Sequence, residues 1–243
     1  MGFYHLAKKP RHLAGASLRH TPVTKRPFDV DEAFRILREA TAPFPQAEMF
    51  ALRDEGFTSI FEQLVSCVLS IRTRDEVSGP ASRRLFGVGR RPEEIASLPV
   101  EVIAERIEPV AFATGKAVQI REIARRTAEE FGGELPADFA ILTSLKGIGP
   151  KCANLTLGVA RGVAAIAVDI HVHRVTNRWG YVAAPTPETT MVALEAKLPK
   201  EYWVEINERL VPFGKHICTG RLPKCSTCPL LSMCAQIGVE EHR

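Results

Sequence analysis

Four cysteines stand close together near the C-terminus of the chain, and cysteine thiolates are strong ligands for zinc and for iron–sulfur clusters. Their spacing is C-x6-C-x2-C-x5-C, formed by Cys218, Cys225, Cys228 and Cys234. The short intervening loops allow the four side chains to converge on one centre. Structural zinc sites usually contain two paired C-x2-4-C knuckles, whereas this segment has one. The spacing therefore favours a [4Fe–4S] cluster, with structural zinc as the alternative.

The two remaining cysteines, Cys67 and Cys152, lie among apolar residues at helical spacing. A buried free cysteine behaves as a small apolar residue. Disulfides are the poorer interpretation of cysteines in this chain, because its first residues lack the apolar segment of a secretory signal. We therefore expect Cys67 and Cys152 to be ordinary core residues.

A Gly-Ile-Gly turn, formed by Gly147, Ile148 and Gly149, separates a short apolar helix from a helix that begins at Pro150. Proline suits the first helical position because its missing N–H has no partner there. The two glycines permit positive φ and leave backbone N–H groups uncovered beside a helix N-terminus, which favours anions. The turn could therefore hold a phosphate, although such turns also serve simply to join two helices.

Lys151 stands at the start of the helix after this turn, and Asp169 follows eighteen residues later. A lysine beside apolar helix positions loses hydration, which favours the neutral amine, a nucleophile suited to attack on carbon. An aspartate after an apolar run is by default a helix N-cap, and that role is compatible with a catalytic one. The two residues form a candidate pair of nucleophile and carboxylate.

Apolar residues recur at helical spacing over most of the chain, which predicts an all-α fold. Ser59 and Glu62 form a capping box ahead of a strongly apolar helix, and an amphipathic helix begins near Gly115 and ends at Gly132. The apolar segment 163–168 is expected to cross the core as a buried connection. Further helices are predicted over residues 30–39, 76–85, 150–160, 172–179, 188–198 and 202–213.

The chain has 243 residues, of which 45% are hydrophobic and 25% charged, a composition typical of globular proteins. Its apolar runs are far shorter than the ~20 residues that span a bilayer, so we expect no membrane partner. Residues 1–26 contain six basic and no acidic residues, and the net charge of +4 derives from this segment. We interpret it as a flexible tail that either attracts polyanions or serves in targeting or solubility.

Together these motifs resemble the endonuclease III family of DNA base-excision glycosylases, within the helix-hairpin-helix glycosylase superfamily. The hairpin LKGIGPK, the segment VDIH and the loop CTGRLPKCSTCPLLSMC occur in the family's order, and the resemblance spans roughly residues 28–234. It implies a helical-barrel domain over 53–163 that contains the hairpin. It also implies a second helical domain, built from 27–52 and 164–243, that holds a [4Fe–4S] cluster. Substrate DNA would lie across the cleft between the two domains.

The resemblance implies a bifunctional DNA glycosylase and abasic-site lyase that acts on oxidised pyrimidines. The damaged base is flipped into the cleft, the amine of Lys151 attacks the sugar C1′, and Asp169 deprotonates the lysine and stabilises the cationic sugar. We therefore expect a cytoplasmic, nucleoid-associated monomer whose partner is double-stranded DNA with damaged pyrimidines or abasic sites. The four cysteines would hold the cluster, and further DNA contacts are implied for Gly147, Ile148, Gly149, Arg221 and Lys224.

Three positions depart from the family pattern. Arg72 stands where members often have a glutamine that fills the space left by the flipped base. Phe112 stands at the usual leucine wedge, and Thr143 replaces an acid that often precedes the hairpin. We expect Arg72 and Phe112 to contact DNA, while the preferred lesion and opposite base stay open.

Two alternatives compete with this interpretation. The adenine-mismatch glycosylases share the hairpin and cluster but carry a glutamate on the early helix and no hairpin lysine. This chain has Cys67 at the first position and Lys151 at the second, which excludes that group. The other alternative is a catalytically weak or silent DNA-binding iron–sulfur protein on the same scaffold, and the presence of both Lys151 and Asp169 argues against it.

Overall fold

The computed structural model describes residues 25–243, and the regular elements in this part of the chain are all helices. The predicted all-α fold is confirmed. Among the described residues, no helix is long and apolar enough to cross a membrane. The α-helices are α1 (Val30–Thr41), α2 (Glu48–Asp54), α3 (Ile60–Ser70), α4 (Asp75–Phe86), α5 (Pro92–Ser97), α6 (Val100–Ile107), α7 (Ala113–Phe131), α8 (Phe139–Ser144), α9 (Pro150–Arg161), α10 (Ile170–Trp179), α11 (Pro187–Lys197) and α12 (Glu205–His216).

Most of the predicted basic tail, residues 1–24, lies outside the described residues. Its last two residues contact the C-terminal part of the chain. The ammonium of Lys25 donates to the Leu231 carbonyl at 2.7 Å, and the backbone N–H of Arg26 donates to the Ser232 carbonyl at 2.9 Å. The described chain therefore begins against the segment that carries the last cysteine.

The first core is built around α3, which packs against α2, α4, α7 and α9. Every residue from Ile60 to Leu69 is buried, as expected for a helix that is apolar on most sides. Its predicted capping box is present: the N–H of Glu62 donates to Ser59 Oγ at 3.1 Å, and the N–H of Ser59 donates to Glu62 Oε2 at 3.0 Å. The box fixes where this central helix starts.

The second core joins α1 to the C-terminal helices α10, α11 and α12. It therefore combines both ends of the described chain. Met49 and Phe50 of α2 pack in the first core, although the sequence analysis grouped 27–52 with the second domain. The domain division stays a prediction, and this packing favours a boundary near residue 46. Large members of the second core are Phe34, Trp179, Tyr202, Phe213 and Leu230.

The segment 163–168 connects the two cores, and no strand is assigned to it. Ile166, Ala167 and Val168 are buried, and the Ile166 carbonyl accepts a hydrogen bond from Asn154 Nδ2 at 2.8 Å. The prediction of a buried connection is confirmed for residues 166–168, whereas Val163 and Ala164, where the chain leaves α9, are exposed. This segment ends at Asp169 and so determines where that carboxylate lies.

Candidate functional site

Lys151 and Asp169 line the same cleft, which has a volume of about 650 Å³. One wall comes from helices of the first core, α2, α3, α4 and α9, and the other from α10 and α12. The structure thus brings together the two residues that the sequence singled out as nucleophile and carboxylate. Gly147, Gly149 and Arg72 also line this cleft.

The Gly-Ile-Gly turn connects α8 to α9 in a compact hairpin. Gly147 has φ +80°, and a Cβ atom there would lie 2.7 Å from Gln119 Nε2, so this position requires glycine. Ile148 is buried and its N–H donates to the Leu145 carbonyl at 3.1 Å, which makes it the anchor of the turn. Gly149 is the N-cap of α9, where the first backbone N–H groups of the helix have no partner within it. The hairpin therefore offers backbone donors at the mouth of the cleft.

Lys151 follows Pro150 in the first turn of α9, and its side chain is exposed. Lys151 was expected to be dehydrated by apolar neighbours, and that expectation is wrong. The physical reason is that Lys151 lies on the cleft side of the first turn of α9, whereas the next two residues, Cys152 and Ala153, are buried. Loss of water from the amine would require a ligand that fills the cleft.

Asp169 is the N-cap of α10, as predicted. Its Oδ1 accepts hydrogen bonds from the N–H groups of His171 at 2.9 Å and Val172 at 2.8 Å. The residue is half-buried, since the buried segment before it enters the core. The cap fixes the position of the carboxylate on the wall of the cleft.

Cys67 of α3 and Cys152 of α9 are both buried, as predicted, but they are joined as a disulfide with their Cα atoms 6.2 Å apart. This corrects the interpretation of both as unpartnered core residues. The two cysteines are 85 residues apart in sequence, and only the packing of α3 on α9 brings them together. Both line the cleft, and Cys152 directly follows Lys151.

The four C-terminal cysteines are free of disulfides and lie on the loop after α12. Cys218, Cys228 and Cys234 pack against the second core, and Cys225 is buried. Burial, with a smaller contribution from the neighbouring thiols of the same group, raises the pKa of the Cys228 thiol to about 12. Within residues 25–243, no three His, Cys, Asp or Glu side chains converge closely enough to hold a single metal ion.

Two arginines of α10 hold the start of this loop. Arg178 donates to the Thr219 carbonyl at 2.6 Å and lies 3.6 Å from Cys218 Sγ, and Arg174 donates to the Cys218 carbonyl at 3.2 Å. Neither arginine was predicted to have a role, although their spacing of four places them on one helix face. The helix capped by Asp169 therefore also fixes the first cysteine.

Arg221 and Lys224 lie on the loop between Cys218 and Cys225, and both side chains are exposed. Backbone contacts hold this loop: Thr219 Oγ1 donates to the Arg221 carbonyl at 2.8 Å, and the N–H of Lys224 donates to the Ile217 carbonyl at 3.0 Å. Two basic side chains are thus presented to solvent on an ordered loop. Their contact with DNA stays a prediction.

Arg72 and Phe112 lie together at the rim of the cleft. The Arg72 guanidinium is 5.9 Å from the centre of the Phe112 ring, a cation–π arrangement. The Phe112 side chain is conspicuously exposed, at 67%. Both residues have positive φ, +54° for Arg72 and +60° for Phe112. Both residues were predicted to contact DNA, but their contact with each other was not predicted.

Comparison with known proteins is consistent with this geometry. The family model for HhH-GPD superfamily base excision DNA repair proteins matches residues 65–200. Endonuclease III of Thermotoga maritima is 40% identical over 199 residues, which are 82% of this chain and 90% of that protein. The chain belongs to the endonuclease III family.

Solved structures of endonuclease III share the fold. A non-covalent endonuclease III–DNA complex is 29% identical, with a TM-score of 0.74 over 85% of this chain and 94% of that one. A trapped covalent endonuclease III–DNA intermediate is 30% identical, with a TM-score of 0.72 over 86% of this chain and 97% of that one. The helical architecture described above is therefore that of the endonuclease III family.

Proposed function

We propose that this endonuclease III family member is a base-excision-repair DNA glycosylase with abasic-site lyase activity, acting on oxidised pyrimidines in duplex DNA. The observation that carries the proposal is the placement of Lys151 and Asp169 in one cleft beside the Gly-Ile-Gly hairpin. Similar solved structures hold DNA, in one case as a trapped covalent intermediate. The enzyme acts as a monomer on chromosomal DNA in the cytoplasm, where its substrate lies in the nucleoid.

The hairpin binds the DNA backbone, because Gly147 and Gly149 line the cleft and uncovered backbone N–H groups beside a helix N-terminus favour a phosphate. The damaged nucleotide is extruded into the cleft, as base-modifying enzymes require. This displaces water from around Lys151, whose amine needs to be neutral to attack. Asp169 accepts the proton that the ammonium loses.

Attack of the Lys151 amine forms a bond from nitrogen to the sugar C1′ and breaks the bond from C1′ to the base, which leaves with the proton that Asp169 took from the ammonium and so restores the carboxylate. Opening of the sugar ring converts the product into a Schiff base, a protonated imine between Lys151 and C1′. The imine withdraws electrons from C2′, so that loss of a C2′ proton expels the 3′ phosphate. Asp169, held in position by its two cap hydrogen bonds, stabilises the cationic sugar in the first step.

An activity assay on the wild-type protein distinguishes this function from the alternative, a catalytically silent DNA-binding protein. The wild type is incubated with an end-labelled duplex that contains one oxidised pyrimidine, and both the released base and the cleaved strand are quantified. We expect both products, in amounts that rise together. A catalytically silent DNA-binding protein would bind the duplex and release neither product.

We also propose that Cys218, Cys225, Cys228 and Cys234 hold a [4Fe–4S] cluster. The donor set fits this group: four thiols without disulfides share one loop, and three of them rest against an apolar core. A cubane takes one thiolate on each of four irons, and the guanidinium of Arg178 adds an N–H beside the Cys218 sulfur. When bound, the cluster would cross-link the loop that carries Arg221 and Lys224 and so stabilise its conformation.

The cluster proposal predicts the metal content of the purified protein. We expect a yellow-brown protein with iron and sulfide in the 4:4 ratio of the cubane. Cys228→Ser should lose iron and yield a chain that unfolds at lower temperature, since ligand binding and folding of such segments are coupled. Ser226→Ala, in the same loop, is the matched control and should keep its iron. Stoichiometric zinc in a colourless protein would contradict the proposal.

Arg72 leads to a prediction about the base opposite the lesion. Its guanidinium can donate two parallel hydrogen bonds to a guanine edge but offers no acceptor, whereas glutamine offers both kinds of group. We expect a lesion opposite guanine to be excised faster than the same lesion opposite adenine, and Arg72→Gln to narrow the difference. Single-turnover rates on the two duplexes measure this. Equal wild-type rates opposite both bases would leave Arg72 as a contact to the DNA backbone only.

A further inference from the structure

A buried lysine on α7 contacts the end of α3 and the loop that follows it, at the rim of the cleft. Lys116 lies near the start of α7 and is only 6% exposed. Its ammonium donates to the carbonyls of Leu69 at 2.9 Å and Ile71 at 2.6 Å, and to Thr73 Oγ1 at 3.2 Å. These bonds use all three donors of the ammonium group. Lys116 thereby ties the start of α7 to the loop that follows α3.

Thr73 extends this network to the segment before α7. Its hydroxyl oxygen also accepts a hydrogen bond from the N–H of Ala111 at 3.2 Å, and the hydroxyl donates to the Ile71 carbonyl at 3.3 Å. One hydroxyl therefore joins residues 71–73 to residue 111. We call this set of contacts around Lys116 and Thr73 the rim network.

The rim network brackets the two residues that carry the departures from the family pattern. Arg72 stands between Ile71 and Thr73, and Phe112 directly follows Ala111. Both have a positive φ of 54–60°, a region that side-chain-bearing residues seldom occupy and keep only where the surroundings hold them. The network supplies those constraints on both sides of Arg72 and immediately before Phe112.

The choice of lysine at this position has a cost. Burial lowers the pKa of Lys116 to about 8, because removal of water disfavours the charged form. A methionine would fill a similar volume without that penalty. The ammonium is therefore explained by its three acceptors, which belong to the last turn of α3 and to the loop that follows it.

We propose that Lys116 is a positioning residue for base excision: through Thr73 it holds Arg72 and Phe112 where they enter the stack that the flipped base vacates. This inference rests on the proposed function. Extruding a base costs free energy, because its stacking on the neighbouring bases is lost. Side chains that enter the vacated space offset this cost, and they do so best when they are already held in position. Loosening the network should slow base extrusion while the chemistry at Lys151 is retained.

Three variants test the role. Lys116→Met keeps the apolar stem and removes every donor, and Thr73→Val keeps the shape of the side chain and removes the shared hydroxyl. Lys197→Met is the matched control, because the Lys197 ammonium also donates to a backbone carbonyl, that of Tyr181 at 2.6 Å, but on α11 in the second core. Thermal unfolding of each variant is measured alongside its activity.

Two substrates separate positioning from chemistry. The first is a duplex with an oxidised pyrimidine opposite 2-aminopurine, whose fluorescence reports unstacking, followed in single turnover together with base release. The second is a duplex with an abasic site, on which borohydride trapping of the Schiff base is followed. The abasic duplex has no damaged base to extrude, so its reaction with Lys151 depends less on the rim network.

We expect Lys116→Met to slow base release by about tenfold or more, the effect typical of losing hydrogen bonds to a charged group. The 2-aminopurine change should slow by the same factor. Trapping on the abasic duplex should stay within roughly threefold of wild type, because a missing base removes the unstacking step. Thr73→Val should show the same pattern with a smaller effect, and Lys197→Met should match wild type on both substrates.

The result that would overturn the inference is wild-type base release by folded Lys116→Met or, if that variant does not fold, by Thr73→Val. An equal loss on both substrates would also overturn it, since that pattern indicates a general structural role. Failure of the wild type to form a trapped complex with the abasic duplex would instead refute the proposed function, and this inference with it.

Discussion

A Lys151→Gln variant should release the base from a damaged duplex more slowly by on the order of ten-thousandfold or more, the scale seen when a catalytic nucleophile is removed. The borohydride-trapped complex should disappear with it, because the glutamine amide cannot form an imine. Duplex affinity should stay near that of wild type, since the hairpin binds phosphate through backbone N–H groups at Gly147 and Gly149. Single-turnover kinetics, gel analysis of the trapped complex and a binding titration give the three readouts.

The matched control is Lys200→Gln, which removes an exposed lysine that lies over the ring of Trp203, away from the cleft. It should trap and cleave like the wild type. If Lys151→Gln trapped as fully as the control, Lys151 would not be the nucleophile. If it lost duplex binding as well, the amine rather than the hairpin backbone would carry the phosphate contact.

The second large effect is expected at Asp169, where two roles can be separated by the choice of substitution. Asp169→Asn keeps an oxygen that can accept the N–H bonds of His171 and Val172, and asparagine is a good N-cap. It should therefore unfold near the wild-type temperature while base release falls by roughly a hundredfold to ten-thousandfold, the usual contribution of a positioned acid or base. Asp169→Ala should lose the cap as well, at a cost of about 1 kcal/mol in the free energy of unfolding.

Thermal unfolding and single-turnover base release distinguish the two roles. Wild-type rates for a folded Asp169→Asn protein would leave Asp169 as a helix cap alone. A low melting temperature for Asp169→Asn equal to that of Asp169→Ala would show that the hydrogen bonds need the charge.

Local signals in the sequence were sufficient to predict where the helices that position the site begin and end. The capping box of Ser59 and Glu62, the helix start at Pro150 and the stop at Gly132 all depend on residues within one helical turn. Helices α2, α5 and α6 were not predicted, whereas the short helix before the Gly-Ile-Gly turn, α8, was. Helices of six to eight residues contain too few apolar repeats to show a period.

Site residues were predictable from the sequence where the residue type implies one chemistry. Contacts between residues on distant helices were not predictable. Cys67 and Cys152 meet only because α3 packs on α9, and nothing in the local sequence indicates the pair. The exposure of Lys151 depends on which side of α9 faces the cleft. Lys116 offered a signal that was overlooked: it lies four residues before Ile120 and so on the apolar face of α7, where a lysine needs buried acceptors.

The covalent bond between Lys151 and the sugar C1′ is the central claim, and peptide mapping of the trapped complex tests it most directly. The wild type is reduced with borohydride on an abasic duplex, the DNA is digested, and the modified peptide is sequenced by mass spectrometry. The account predicts a single adduct on Lys151. An adduct on another amine, such as Lys146 or the N-terminus, would contradict it.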